Sequence, residues 1–160
     1  MKSKIDARWT TPVAIEAADV VERATAIARD IRTDLLRYDE TPRNLAGQCG
    51  LAAMLIATAL NNPYVLRTGF YMKCESLFGR RGRYPNRHAW CRIGTMIVDV
   101  TATQFDQRNK AVHVARFDED MRYIDTARGA DAIDDIMENW CGRKLPAYVQ
   151  LAKGLRRGLR

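Results

Sequence analysis

The first regular pattern along the chain is a row of apolar residues, Val20, Ala24, Ile27, Ile31, Leu35 and Tyr38, at steps of three and four. Arg23, Arg29, Asp30, Arg32 and Asp34 fall mostly between them. That spacing gathers the apolar side chains on one face and predicts an amphipathic helix packed on a core. Thr10, Thr11 and Pro12 mark its start: a hydroxyl cap, then a proline where a helix has no use for the N–H, with Glu16 placed to favour the helix dipole. Asp39 to Gly47, with Thr41, Pro42, Asn44 and Gly47, reads as a loop. From Cys49 to Leu60 the chain is apolar all round, which predicts a helix buried at the centre of the fold.

Beyond Pro63 the pattern changes to short β-prone runs: Tyr64 to Met72, Ala89 to Ile93, Met96 to Thr101 and Ala111 to Phe117. Gly94 and Thr95 suit a two-residue hairpin turn, whose register would pair residues with numbers summing to about 189. Gly79 to Asn86, rich in glycine and arginine and holding Pro85, reads as a loop leading into His88. Ala130 to Trp140 and Pro146 to Leu155 read as two closing helices, the second running into a frayed basic tail. Helices, then antiparallel strands, then helices make an α+β fold.

Composition narrows this in a few respects. With 160 residues the chain has room for one core, hence a single domain over residues 1–160, with 1–9 and 156–160 expected to be flexible. The longest apolar run, Leu51 to Leu60, is about half of what a membrane span needs. No apolar stretch follows Met1 to Arg8 as a secretory signal requires. The expectation is a cytoplasmic protein, or an effector delivered without such a signal, with no membrane partner.

Four cysteines, Cys49, Cys74, Cys91 and Cys141, without a signal read as free thiols. Zinc held by Cys74, His88, Cys91 and Cys141 is not expected, because structural zinc sites use closely spaced ligand pairs and no Cys-x-x-Cys is present. No cofactor is implied. The net charge of +7 raises the question of a polyanion, but the basic residues concentrate in only two places. One is Arg80, Arg81, Arg83 and Arg87, read as a solvated loop that could also steer an acidic partner toward His88. The other is the tail with Lys153, Arg156, Arg157 and Arg160. Nucleic acid is not the expected partner.

The candidate chemistry begins at Cys49, between a loop and the start of a buried helix. Unpaired backbone N–H groups and the helix dipole favour a thiolate there, and the same groups can receive the oxyanion of a tetrahedral intermediate. An isolated cysteine in this position more often just opens a greasy helix. Gly47 and Gly50, flanking Gln48-Cys49, tilt the balance, because they permit a close backbone approach. A nucleophilic thiol needs a base. His88 heads a strand after an exposed loop, whereas His113, between Val112 and Val114, reads as a solvated strand residue. Asp99, inside the apolar run Met96 to Val100, needs a partner, and the hairpin register brings it within a step of His88.

These residues resemble a known pattern. Gly47-Gln48-Cys49, His88-Ala89-Trp90 and Asp99-Val100-Thr101-Ala102-Thr103-Gln104 are similar to the Gly-Gln-Cys, His-x-Trp and Asp-x-Thr-x-x-Gln elements of transglutaminase-like proteins, in the same order. The resemblance covers about residues 44–106. It implies a papain-like core, with a central helix carrying Cys49 packed on antiparallel strands carrying His88 and Asp99, and extra helices at both ends. It further implies a cysteine-dependent acyl-transfer enzyme acting on a protein, a peptide or a small amide or ester, with Cys49, His88 and Asp99 catalytic and Gln48 and Trp90 lining the site. Two departures stand out. Gly50 replaces the tryptophan that usually follows the cysteine, and 99 − 88 = 11 residues separate histidine and aspartate. The alternative is a non-catalytic basic binding module on the same fold, with nucleic acid as the candidate ligand.

Overall fold

The computed structural model describes residues 11–37, 47–77, 79–106, 108–140 and 145–160. The expected loop over residues 39–46, the cap at Thr10 and Cys141 lie outside them. Among the described residues the fold is α+β: four helices and one five-stranded antiparallel sheet of order β4-β3-β2-β1-β5. The helices are α1 (Thr11–Arg37), α2 (Cys49–Ala59), α3 (Gly129–Asn139) and α4 (Leu145–Arg157). The strands are β1 (Leu66–Leu77), β2 (Arg80–Ile93), β3 (Met96–Asp99), β4 (His113–Arg116) and β5 (Tyr123–Arg128).

Strand alternation sorts the core into two layers. Leu66, Ala89, Cys91, Ile93 and Val98 point to the helical side, where α2 supplies Ala52, Ala53, Met54, Ile56 and Ala57, and α1, α3 and α4 close around it. On the other face Tyr71, Trp90, Ile97 and Tyr123 form a smaller cluster with Phe105 and Phe117 packed on it. The β2–β3 hairpin turns at Gly94, which has φ +58°, and pairs Cys91 with Val98 and Ile93 with Met96, the register expected from the two-residue turn.

Three readings of the sequence are corrected. Residues 80–86 are not a loop but the outer half of β2, laddered to β1 from Met72↔Pro85 to Leu77↔Arg80 and closed near Gly79 at φ +76°. The glycines and arginines hid a strand that its partner enforces. Pro85 is tolerated because its missing N–H would point away from β1, to an edge where no ladder bond is required. The second correction is β5, which escaped notice because only Tyr123 in it is buried. The third concerns the carboxyl-terminal end, where α4 runs past Leu155 to Arg157 and Leu159 packs on the core.

Candidate active site

The strand β2 presents His88 on the same face as Trp90, and β3 ends at Asp99 on that face beside it. His88 Nε2 lies 2.6 Å from Asp99 Oδ2, with the ring fully buried and the carboxylate 2% exposed. A buried carboxylate must be satisfied to remain charged, and Asp99 is. Tyr123 Oη donates to Oδ2 at 2.8 Å, while Thr101 donates to Oδ1 from its backbone N–H at 2.8 Å and from its hydroxyl at 3.0 Å. The chain beyond Asp99 is held by α1: Arg32 donates to the carbonyls of Val100 and Ala111 and to the Thr103 hydroxyl.

Aromatic rings fix the imidazole. Trp90 stacks along it at 5.7 Å and 26°, and Phe105 meets it edge-on at 4.9 Å and 88°. Trp90 is 1% exposed, so it forms a wall behind the ring. Burial works against the imidazolium, but the Asp99 carboxylate, the hydrogen bond to it and the neighbouring Cys49 outweigh this and push His88 up to about 10. The same pairing overcomes burial at Asp99 and holds its carboxyl below the ordinary carboxylate value, helped by Thr101 and Tyr123.

Cys49 is the first residue of α2 and belongs to the helical layer, so a thiol comes to the ring from that layer and a carboxylate from the neighbouring strand. His88 Nδ1, the nitrogen turned away from Asp99, is buried without a hydrogen bond. The Cys49 side chain is close enough to favour the charged ring, yet it makes no hydrogen bond of good geometry to it. By helix geometry the N–H groups of Cys49, Gly50 and Leu51 have no acceptor within α2, whose first internal bond is Ala52 N–H to the Gln48 carbonyl at 2.9 Å. Gln48 is the cap residue, but its side chain does not cap the helix. The departure at position 50 has a steric cause. A Cβ there would sit 3.0 Å from Ile136 Cγ2 and 3.2 Å from Trp140 Cβ, so the end of α3 occupies the space a larger residue would need.

The other candidates fall elsewhere. Arg87 reaches across to Asp135 on α3 at 2.9 Å, while Arg80, Arg81 and Arg83 lie exposed farther out on β2. Cys91 is buried, donates to the Ala53 carbonyl and has its thiol pushed up by burial; Cys74 is exposed on β1. Among the described residues no group of three or more histidine, cysteine or carboxylate side chains is placed to hold a metal ion. No helix among them is long and apolar enough to cross a membrane.

His113 is not a solvated residue, contrary to the reading of its sequence. It bonds Asp120 Oδ2 at 2.8 Å and stacks on Tyr123 at 5.7 Å and 7°. Asp120 in turn takes three bonds from Arg122, two from its guanidinium and one from its backbone N–H, and the guanidinium also donates to Asn109. Alternation was misleading here because the outward face of β4 is itself covered by the Asp118–Arg122 turn. Tyr123 was missed altogether, since nothing in its local sequence signals that its hydroxyl reaches Asp99. The chain matches no family model, no curated protein and no solved structure.

Proposed function

We propose that this protein is a cysteine-dependent acyl-transfer enzyme on a transglutaminase-like, papain-like core, with Cys49 as nucleophile, His88 as its base and Asp99 as the group that orients and charges the histidine. The observation that carries this reading is the His88 ring: one nitrogen is bound to a fully satisfied buried carboxylate, and the other is unpaired with a helix-terminal thiol beside it. In the reaction, His88 Nδ1 takes the Cys49 proton and Sγ adds to the carbonyl carbon of an amide or ester. The oxyanion falls at the N-terminus of α2, whose free N–H groups stabilise it. As the tetrahedral adduct collapses, the leaving amine or alcohol takes the proton from His88 and a thioester remains. Water or an amine then repeats the sequence in reverse, returning the thiol. Asp99 stays ionised throughout.

The test is acyl-enzyme trapping by mass spectrometry, with wild type and Cys49→Ala offered peptide, ester and glutamine substrates. A covalent adduct on Cys49, absent from the variant, is the expected result. Faster alkylation of Cys74 with Cys49 inert at neutral pH would count against it.

One observation favours a second reading, a non-catalytic basic binding module. Cys49 is 2% exposed and His88 is fully buried, so a substrate enters only when the covering chain moves. In that case salt-dependent binding to a polyanion survives Cys49→Ala, and no adduct forms.

A further inference from the structure

The two central strands are longer than the sheet that holds them. β5 accompanies β1 only over Arg67–Tyr71, and β3 accompanies β2 only over Cys91–Ile93. Met72 N–H still bonds the Arg122 carbonyl; from Lys73↔Tyr84 outward β1 and β2 continue for five residue pairs with no further strand among the described residues, a ribbon projecting about 17 Å at the usual rise per residue. A two-stranded ribbon in water is marginally stable, and among the described side chains this one has none buried beyond its root. It does carry charge. Arg80, Arg81, Arg83 and Arg87 are all exposed.

Their situation differs from that of most other arginines in and beside the sheet, the exposed Arg128 at the end of β5 excepted. Arg67 and Arg92 share Asp125, Arg116 holds Asp118 and Glu119, and Arg122 holds Asp120. Arg87 holds Asp135. Among the described residues Arg80, Arg81 and Arg83 have no carboxylate partner, three cations on one strand without a described counter-charge.

The backbone beneath them is also unused. A two-residue turn at Gly94 makes Ile93↔Met96 the hydrogen-bonded pair, so the odd-numbered residues of β2 aim their N–H and C=O groups toward the β3 side. Among the described residues no strand lies there beyond the end of β3, so the backbone of Arg81, Arg83 and Arg87 faces an open edge. Like charge along that edge rejects a second copy of itself, which is one way exposed edges are kept from aggregating. The same charge admits an acidic strand. Side chains two apart on a strand repeat about every 6.7 Å, so Arg81 and Arg83 match alternate carboxylates of an extended polypeptide laid along them. Duplex nucleic acid, with a charge about every 1.7 Å of axis, has no such match to a single strand edge.

We propose that the free edge of β2, from Arg80 to Arg87, docks an extended acidic polypeptide segment by strand addition. The edge ends at His88, about 17 Å from Arg83, so a segment held there delivers neighbouring carbonyls to Cys49. That makes acidic proteins the substrate class; this second step rests on the enzymatic reading above, whereas the docking does not.

The experiment is fluorescence anisotropy of a labelled peptide of alternating glutamate and threonine, titrated with the full chain. Wild type and Cys49→Ala are expected to bind it equally, with affinity falling as salt rises, and a lysine-threonine peptide not to bind. Combined Arg80→Glu, Arg81→Glu and Arg83→Glu should weaken binding at least tenfold, and the milder Arg81→Ala, Arg83→Ala pair severalfold, with unchanged circular dichroism. Equal binding by these variants, or none by wild type, overturns the proposal. So does tighter binding of an RNA or duplex DNA oligonucleotide that the same variants abolish, which would give the ribbon to nucleic acid. Peptide that binds as expected while wild type forms no adduct on Cys49 leaves the docking site standing and removes the enzymatic reading.

Discussion

Asp99→Asn preserves shape and removes one charge. Asp99 accepts four hydrogen bonds, two on each oxygen, and the backbone N–H of Thr101 cannot turn away. The amide oxygen must therefore stay against Thr101, and the amide nitrogen takes the place that faced His88 Nε2. Two donors would then oppose each other, so the ring shifts its proton to Nδ1, the nitrogen that accepts one from Cys49 in the proposed mechanism. The tyrosine hydroxyl can rotate to accept; the imidazole can comply only in the wrong tautomer.

Removing one member of a buried pair costs about 3–5 kcal/mol, and the lower end applies because His88 can discharge. At about 2–4 °C per kcal/mol for a chain of this length, the midpoint should fall by about 6–12 °C. The loss should depend on pH. His88 is raised from 6.5 to about 10, so its contribution is complete below 6.5 and disappears as pH rises through about 10. Asp99 is lowered from 3.8, so its contribution is present above that value and is lost as pH falls through its depressed one. The gap between wild type and variant in urea unfolding should be widest between about pH 4 and 6.5 and narrow steadily toward about 10. Alkylation of Cys49 should slow by up to about four orders of magnitude, the effect of a wrong tautomer in a triad. A gap under about 1 kcal/mol near pH 5, or one that widens as pH rises, would refute the ion-pair description.

Tyr123→Phe removes one donor from a charged, buried acceptor and should lower stability by about 1.5–3 kcal/mol in chemical denaturation, with Asp99 titrating at a higher pH by NMR. Gly69→Ala should be more severe than its size suggests, by about 3 kcal/mol or more, because a Cβ there overlaps the Ile124 carbonyl oxygen across the bulge between β1 and β5. Asp120→Asn should cost about 1–3 kcal/mol at neutral pH, since its carboxylate gathers Arg122 and His113. Burial opposes that charge but these bonds outweigh it and hold the carboxyl low, so the loss should be full above the ordinary carboxylate value of 3.8 and shrink as pH falls from there through the depressed one, as thermal melts across that range would record.

What could be read from the sequence was whatever local periodicity controls. The stripe of α1, the all-apolar α2 and the two-residue turn at Gly94 each follow from spacing alone, and the turn fixes the register that sets Asp99 near His88. What could not be read depends on partners far along the chain. Residues 80–86 are a strand because β1 lies beside them, whatever glycine and arginine prefer. His113 is covered because a turn several residues later folds over it. Tyr123 reaches Asp99 from across the sheet, β1 and β2 lying between β5 and β3. Gly50 was legible as a residue chosen for smallness, but not that Ile136 and Trp140 were the reason.

That contact makes α2 and α3 a single engineering unit. The elbow room at the residue after the cysteine is dictated by two bulky neighbours supplied late in translation, so the surroundings of the first turn of α2 are completed only once the third helix has docked. Transplanting the cysteine segment into another scaffold without those neighbours would open a hollow beside it, and enlarging position 50 would first require trimming Trp140.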